Sequence, residues 1–405
     1  MMKLKNYIYG VALGALSLTY ASCYNADKEF PDYEGGTKAY FAYQNPIRTL
    51  VLGNDIYDNS LDNNHKCRIW ATMGGAYDGR DALVSVIIDE ELCNNLYFLD
   101  DGGYESAKVL PLPHDYYNYD EVKNATINYN GDSRGYLEIQ FTDKFFQDVK
   151  SVDTTYVIPV RMTGITGIDA ILSGEANKSG AIRQNANDWS TLPKDYVLYC
   201  VRYMNPWQGK YIRRGVDDVT EKGETTKVVR KDFTLYNSDI AHYSKMDPSN
   251  PVNQYDEVCA ITTKNMTEAI FPVSIKRAKG QSITCNLILK FNGNECTIST
   301  ADADVVSTGS GEFITNGTAR SEYKDYQWGN LNGDLIQRDI LRLAYNISFK
   351  KGKVLGKAVD GSDIVLDNDV DVSTADTLVV QTRESNKRAW FDYKYNDQPV
   401  ILSGN

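Results

Sequence analysis

Short stretches in which apolar and polar residues alternate, separated by turn-forming dipeptides, recur along most of the chain. Residues 136–141 and 283–291 alternate in this way, and residues 83–88 are almost continuously apolar. A period of two places successive side chains on opposite faces of a strand, and a short apolar run is typical of a more fully buried strand. Turn signals such as Asn130-Gly131 lie between the stretches and indicate antiparallel neighbours. The pattern predicts an all-β protein.

Helical patterns are few and short. Residues 144–149 and 168–172 are the two segments that suggest helices of one or two turns. Many short strands at this spacing form either a β-sandwich or a β-barrel.

A domain boundary is predicted at Asn205-Pro206. An apolar strand at residues 196–203 ends just before it, and a new strand pattern begins just after it. A chain of 405 residues also suits two domains of ordinary size. We therefore predict a first domain at residues 37–204 and a second domain at residues 205–405.

The N-terminus has the pattern of a lipoprotein export signal. Two lysines and a short apolar run precede small residues and a cysteine: Lys3, Lys5, residues 11–18, Ala21, Ser22 and Cys23. The apolar run is too short to span a bilayer, which takes about 20 residues. We predict a signal peptide at residues 1–22, lipidation at Cys23 and a flexible tether at residues 23–36. Because Tyr20 departs from the usual aliphatic residue of a lipobox, a soluble secreted protein is the alternative.

The chain carries a net negative charge. The formal net charge is −11, and it becomes −13 if Lys3 and Lys5 leave with the signal peptide. No run of Lys or Arg forms a basic patch, so nucleic acid and anionic membrane surfaces are poor partners. The chain has 29 Tyr and 3 His, a balance that favours a β-rich binding protein over a hydrolase that relies on imidazole.

Six cysteines remain beyond Cys23, and they form no compact disulfide pattern. They are Cys67, Cys93, Cys200, Cys259, Cys285 and Cys296. A two-residue hairpin turn is predicted at Asn292-Gly293. It places Cys285 opposite Thr300 and leaves Cys296 about 13 Å away along the ladder, beyond disulfide reach. We therefore predict buried free thiols.

Two sets of structural motifs carry a resemblance to known families. The first set is at residues 84–89, 109–113, 136–141 and 156–162 and at Tyr116-Tyr117; the second is at residues 207–211 and 376–380. On the first set, residues 37–203 resemble the Bacteroidetes family DUF1735. On the second, the remainder is similar to DUF5627. The resemblance implies a β-sandwich of surface lipoproteins linked to polysaccharide utilisation, followed by a lipocalin-like antiparallel β-barrel.

No catalytic motif is present in the sequence. Some DUF1735 relatives carry a family 18 glycosidase, whose Asp-x-x-Asp-x-Asp-x-Glu array supplies the catalytic acid. The closest acidic stretch, residues 360–371, lacks that spacing and the final Glu. The sequence also contains no Gly-x-Ser-x-Gly elbow, phosphate loop or His-Glu-x-x-His helix. We expect a protein that is not an enzyme.

Two aromatic clusters are candidate carbohydrate sites, because the apolar face of a sugar ring stacks on Trp or Tyr. The first contains Tyr323, Tyr326 and Trp328, and the second contains Tyr116 and Tyr117. The alternative for the first cluster is a barrel strand whose rings face the core or the rim. The alternative for the second is structural packing of at least one Tyr.

The interior of the second domain is expected to be apolar. Trp207 and Trp390 are interpreted as core residues at the beginning and end of the barrel. If the barrel is a calyx, its interior could instead hold an apolar ligand.

Asp367, Asp369 and Asp371 share one face of any strand that contains them. Three aligned carboxylates repel one another, so either Ca²⁺ or solvent must screen them. The stretch lacks the glycine and bidentate Glu of an EF-hand loop. A solvated edge strand is the alternative to a calcium site, and no other cofactor is expected.

Together these features favour a non-catalytic surface lipoprotein of the outer membrane that binds a glycan for a polysaccharide-utilisation system. A SusC/SusD-type transporter is a possible partner, and nucleic acid is not. The alternatives are an adhesive or structural component of the outer membrane that binds protein, and a lipocalin-like carrier of an apolar ligand.

Overall fold

The computed structural model describes residues 31–230, 257–278, 282–326, 328–329, 335–359, 361–383 and 389–396. Cys23 and the predicted signal peptide lie outside these ranges and stay predictions. Within them the chain is predominantly β, as predicted, and its three α-helices are single turns: Ser60–Asn63, Tyr119–Val122 and Asp143–Gln147. No helix in the described ranges has the length and apolar character to span a membrane.

Fourteen strands precede the predicted boundary. They are β1 (Lys38–Tyr40), β2 (Ile47–Val51), β3 (Lys66–Gly74), β4 (Leu83–Ile88), β5 (Leu96–Leu99), β6 (Glu105–Lys108), β7 (Leu110–Pro111), β8 (Asn124–Asn128), β9 (Arg134–Gln140), β10 (Tyr156–Thr166), β11 (Ala170–Ile171), β12 (Glu175–Ala176), β13 (Trp189–Thr191) and β14 (Tyr196–Met204). Short 3-10 helices connect some of them: Glu90–Cys93, His114–Tyr116, Val149–Val152 and Ala186–Asp188.

Two of the sheets in the first domain face each other as a sandwich, as predicted. One has the strand order β11-β1-β3-β9, and the other has the order β2-β14-β10-β4-β8 with β7 on β10. Alternation along β3 explains the packing: Cys67, Ile69 and Ala71 point into the shared core, whereas Arg68 and Trp70 point outward. The first sheet therefore buries one face and presents the other to solvent, whereas the second sheet packs its other face in a smaller core cluster through Val157, Leu198 and Cys200.

The sandwich is not purely antiparallel. Strands β1 and β11, β2 and β14, and β7 and β10 pair in parallel. The helix predicted at residues 144–149 is present as Asp143–Gln147, but the one predicted at 168–172 is wrong. That segment forms β11, whose Ala170 amide donates to Thr37 O (3.3 Å). Pairing with an existing edge strand satisfies more backbone groups than a single helical turn does.

Thirteen strands lie in the described part of the second domain. They are β15 (Gly209–Glu221), β16 (Glu224–Arg230), β17 (Glu257–Thr263), β18 (Glu268–Ile275), β19 (Ile283–Asn292), β20 (Glu295–Thr300), β21 (Val305–Ile314), β22 (Trp328–Gly329), β23 (Leu335–Ile336), β24 (Ile340–Phe349), β25 (Val354–Lys357), β26 (Asp363–Val365) and β27 (Val370–Thr382). The 3-10 helices Gly317–Ala319 and Ser321–Tyr326 lie between β21 and β22.

Eight of these strands close into an antiparallel barrel, which confirms the predicted fold. The order is β15-β17-β18-β19-β20-β21-β24-β27, and β27 pairs back onto β15 from Lys210 to Glu221. Strand β16 adds to the far half of β15, along the edge that β17 occupies in the first half. Closure leaves each barrel strand with a partner on both sides and removes the exposed edges of an open sheet.

One end of the barrel core is filled by a stacked aromatic pair. The rings of Trp207 and Phe291 are parallel within 5°, with centroids 3.7 Å apart. Trp207 is buried in the barrel core, as predicted, and its carbonyl accepts a hydrogen bond from the Tyr211 hydroxyl (2.6 Å).

The β19–β20 hairpin has a different register from the predicted one. Asn292 pairs with Glu295, so the two-residue loop is Gly293-Asn294 and not Asn292-Gly293. Gly293 has φ +61°, and a glycine with positive φ at the first loop position is typical of a type II′ turn. The shift pairs Cys296 with Phe291, which keeps it well separated from Cys285 along the ladder.

All six cysteines in the described ranges are free thiols, in agreement with the prediction for Cys285 and Cys296. Burial is the main cause that raises the pKa of each thiol to about 12. Because the thiolate is the reactive form, these side chains are inert in the folded protein.

The chain returns to the first domain after the barrel. Strand β28 (Tyr393–Tyr395) pairs with β5, and Phe391 packs in a core cluster of the first domain with Phe98. The predicted second domain at 205–405 therefore extends too far. Trp390 is also not a barrel core residue: it is 57% exposed. The sequence alone could not show which sheet this C-terminal strand joins.

The two domains are also joined by a buried arginine. The Arg383 side chain donates to the carbonyls of Leu52 (3.0 Å), Asn54 (2.9 Å) and Asn205 (2.7 Å). Its donors satisfy backbone groups where the chain crosses between the domains.

Candidate functional site

The predicted tyrosine site near the first-domain core is not an aromatic platform. Tyr117 is buried in the sandwich core, and the half-buried Tyr116 donates its hydroxyl proton to Asp148 Oδ2 (3.1 Å). Tyr156 donates to the same oxygen (2.7 Å). Burial is the largest single effect and raises the pKa of Asp148, but the bonds from Tyr156, the Lys150 amide and Tyr116 together with the Lys150 charge outweigh it, and the net shift is downward. Both predicted tyrosines therefore serve packing and hydrogen bonding.

The second predicted aromatic cluster lies outside the barrel ladder. Tyr323 is 7% exposed and packs on Ile314, Ile340 and Val379, so its ring is not available for stacking. Tyr326 ends a 3-10 helix, and Trp328 is in β22, which pairs with β23. The side chains of Tyr326 and Trp328 lie outside the described residues, so their role stays a prediction.

The three candidate calcium ligands are matched with protein cations or lie apart. Asp367 pairs with Lys222 (3.2 Å), and Asp369 pairs with Lys350 (3.4 Å). Asp371 alone belongs to β27, because the strand begins at Val370. Within the described ranges, no group of three or more His, Cys, Asp and Glu side chains is arranged to hold a metal. Lysine ammonium groups, together with solvent, screen these carboxylates.

The first sheet of the sandwich carries a different aromatic pair on its solvent side. Trp70 of β3 and Tyr136 of β9 are cross-strand neighbours, with ring centroids 4.9 Å apart and an interplanar angle of 58°. They are 44% and 40% exposed. Large aromatic rings exposed as a pair on a flat sheet are a candidate binding surface.

Charged side chains surround this pair. We use the term outer face for the outward residues of β1, β3 and β9 together with the adjacent Lys194. Its residues are Lys38, Tyr40, Lys66, Arg68, Trp70, Thr72, Arg134, Tyr136, Glu138, Gln140 and Lys194.

Cations stack on three aromatic rings of the outer face. The Arg134 guanidinium lies 4.9 Å from the Trp70 ring centroid, and that of Arg68 lies 4.2 Å from the Tyr136 centroid. Lys194 Nζ is 5.8 Å from the ring of Tyr40. Cation–π attraction fixes the rings and keeps the charged groups beside them.

One carboxylate is paired within the outer face. Glu138 accepts from Lys66 Nζ (2.7 Å) and from Arg68 Nε (3.3 Å). The hydrogen bond from Lys66 is the main cause that lowers the pKa of Glu138, so this residue is ionised at neutral pH.

The sequence contains a signal for this site, but only in two separate pieces. Trp70 and Tyr136 each occupy the polar phase of an alternating strand, where an aromatic residue is unexpected. They lie 66 positions apart, and only the register of β3 with β9 brings them together.

A second polar cluster is enclosed inside the barrel. Arg213 Nε donates to Asp376 Oδ2 (2.7 Å), and Arg230 donates to Asp376 Oδ1 (2.7 Å). Arg230 also makes two bonds to Asp217 (2.6 and 2.8 Å). These four charged side chains are fully buried. A Cβ at Gly215 would collide with the Asp376 carboxylate, so glycine is required there.

The buried cluster holds its groups in fixed ionisation states. Tyr345 donates to Asp376 Oδ2 (2.8 Å) and accepts from Arg213 (3.0 Å). Burial raises the pKa of Asp217, but bonds from Arg230 outweigh this effect and the net shift is downward. The pKa of Arg213 is above its usual value. Burial lowers this pKa, but the surrounding tyrosine and carboxylate oxygens raise it by more. The cluster is a closed set of ion pairs.

The architecture and these sites define a class: a two-domain all-β protein in which a sandwich is followed by a closed eight-stranded barrel. A family model for a domain of unknown function, DUF5627, matches residues 206–384. A second model, described as an N-terminal domain, matches residues 33–169. No curated protein matches the chain.

A solved structure shows which family the chain belongs to. The crystal structure of a Bacteroides ovatus protein, described as structural genomics of unknown function, is 32% identical with a TM-score of 0.70. The match covers 90% of this chain and 100% of that one. The chain belongs to the same family, with the predicted DUF1735-type and DUF5627 arrangement.

A multidomain Bacteroides ovatus protein that includes DUF1735 is 10% identical with a TM-score of 0.37. That match covers 85% of this chain and 95% of that protein. A score of this size does not indicate a shared overall fold.

Proposed function

We propose that this protein is a non-catalytic, lipid-anchored surface protein that binds glycans on the outer face of its first domain. The anchor is Cys23, and the setting is a polysaccharide-utilisation system with a SusC/SusD-type transporter, as the family resemblance implies. The outer face is proposed in place of Tyr116 and Tyr117, which serve packing and hydrogen bonding.

The exposed pair of Trp70 and Tyr136 is the observation that carries this proposal. Leaving two large rings 44% and 40% exposed forgoes part of a hydrophobic burial that is worth about 1.5–3 kcal/mol for a fully buried side chain. A pyranose ring recovers that energy by laying its C–H face on an aromatic ring. The flat surface of a sheet also leaves room for an extended chain of sugars.

Polar groups around the pair supply the directional part of recognition. Thr72 lies opposite Arg134, and Glu138 lies opposite Arg68, so hydrogen-bonding groups flank the rings on both sides along the strands. Sugar hydroxyls can both donate and accept, and this mixture of donors and acceptors satisfies them. Stacking therefore gives affinity, and the flanking groups give orientation.

The barrel interior argues against the alternative of an apolar carrier. Arg213, Arg230, Asp217 and Asp376 lie inside it as a closed set of ion pairs, so part of the interior is charged and does not suit an apolar ligand. The barrel cluster instead suits a structural role.

Isothermal titration of the folded protein against neutral and acidic polysaccharides tests the proposal. Trp70→Ala should weaken binding at least tenfold, and Trp390→Ala is the matched control because it removes an exposed tryptophan from a different surface. Absence of binding to every polysaccharide by the folded wild type would overturn the function. Equal binding by both variants would overturn the site.

A further inference from the structure

We infer that the outer face selects glycans that carry negative charge, as uronate carboxylates or sulfate esters. This inference rests on the proposed function and names its ligand class. It is carried by the balance of charge on the outer face, which is opposite in sign to that of the whole chain.

The chain has a formal net charge of −11. The outer face, by contrast, presents five cations: Lys38, Lys66, Arg68, Arg134 and Lys194. The structure describes all strand positions of the outer face, and Glu138 is the single carboxylate among them. A local field of this sign attracts anions to a protein that otherwise repels them.

Arg134 is the group best placed to bind an anion. Arg68 and Lys66 already pair with Glu138, but Arg134 forms no ion pair with any residue that the structure describes. Its guanidinium carbon lies over the Trp70 ring, 4.9 Å from the centroid. Its N–H donors form no ion pair within the described residues, so they are available to bind a carboxylate or sulfate in a bidentate manner.

The position of Arg134 also fits a charged sugar. Arg134 and Tyr136 are two residues apart on β9, so their side chains emerge on one face about 7 Å apart. A sugar ring stacked on Trp70 or Tyr136 carries its carboxylate or sulfate at the ring edge, outside the stacked area. That edge lies within reach of Arg134 on one side and of Tyr40 and Lys194 on the other.

A single-stranded nucleic acid is the other polyanion that aromatic and basic side chains bind. We favour a glycan because the C–H faces of a pyranose ring can stack on the Trp70–Tyr136 pair, as the proposed function requires.

Two pairs of polysaccharides with matched backbones test the inference, together with a single-stranded oligothymidine. The pairs are polygalacturonate with its methyl ester, and dextran sulfate with dextran. We expect the charged member of at least one pair to bind about tenfold or more tightly than its neutral partner. Binding should weaken as salt is raised, because exposed charges are screened.

Variants separate the charge from the stacking surface. Arg134→Gln should reduce binding of the charged polysaccharide about tenfold more than it reduces binding of the neutral partner. Arg320→Gln, which removes an exposed arginine from the second domain, is the control and should change neither.

Each remaining outcome has a distinct meaning. Equal binding of charged and neutral partners, unaffected by Arg134→Gln, overturns the charge inference and leaves the proposed function standing. Oligothymidine binding at the affinity of the charged glycan overturns the inference in favour of nucleic acid. Binding to no polysaccharide overturns the proposed function as well.

Discussion

Arg213 and Asp376 form an ion pair inside the barrel, with Nε and Oδ2 2.7 Å apart and both side chains withdrawn from solvent. The pair joins β15 to β27, the two strands whose contact closes the barrel. A buried charge that loses its partner is far more costly than an exposed one, so this contact has measurable consequences.

Asp376→Asn should destabilise the protein by about 3–5 kcal/mol, because it leaves Arg213 and Arg230 short of a compensating charge. Urea unfolding followed by tryptophan fluorescence measures the loss. Asp363→Asn is the control, since Asp363 pairs with Lys357 at the surface, and it should cost about 1 kcal/mol or less. Similar losses in the two variants would contradict the interpretation.

Acid should weaken the barrel through Asp217. The folded-state pKa of Asp217 is below its ordinary value of 3.8, so the unfolded chain binds the proton first as the pH falls. Its contribution is complete above about pH 4 and is lost as the pH passes through the folded-state pKa. In urea titrations at pH 7, Asp217→Asn should have a lower free energy of unfolding than the wild type. As the pH is lowered to 3, the variant should lose less of that free energy than the wild type does. Parallel curves would be evidence against this linkage.

The six thiols of the described ranges should resist alkylation. At about pH 8, a pKa of about 12 leaves roughly one thiol in ten thousand as thiolate, and burial blocks access as well. Mass spectrometry after iodoacetamide treatment should show no modification of these six in the native protein and complete modification in concentrated guanidinium chloride. Rapid labelling of Cys67 or Cys200 in the native protein would contradict the burial described here.

Cys23→Ala should release the protein from membranes, because the predicted lipid is attached to that sulfur. Fractionation of expressing cells, with detection in the membrane pellet and the supernatant, is the measurement. Cys259→Ala is the control, since it removes a partly buried thiol from the second domain and leaves the lipid attachment intact. Retention of the Cys23 variant in the pellet would show that the anchor is elsewhere.

Much of the fold could be predicted because strands have a local signature. Alternation marked β9 and β19, and the near-continuous apolar run marked β4. Pairing partners have no such signature, since hydrogen bonds between backbones do not depend on side-chain identity. The parallel pairing of β11 with β1 and the shifted register at Gly293 were therefore missed.

The outer face depends entirely on strand pairing, which is why no contiguous stretch of the sequence predicts it. The sequence predicts sites at aromatic clusters that are contiguous, such as Tyr116-Tyr117, although Tyr117 is buried. The outer face is assembled from β1, β3 and β9, so its basic character is invisible in any single stretch. Trp70 was a usable clue, as an aromatic residue in the polar phase of its strand.

The return of β28 to the first domain makes the barrel an insertion within a discontinuous domain. As the chain leaves the ribosome, the first 204 residues emerge without Phe391 and the strand that covers β5. The barrel must be synthesised before those pieces arrive, and domains generally fold as units during synthesis. The domain that begins first is therefore the one completed last, and the core cluster around Phe98 can close only after the whole chain has been delivered.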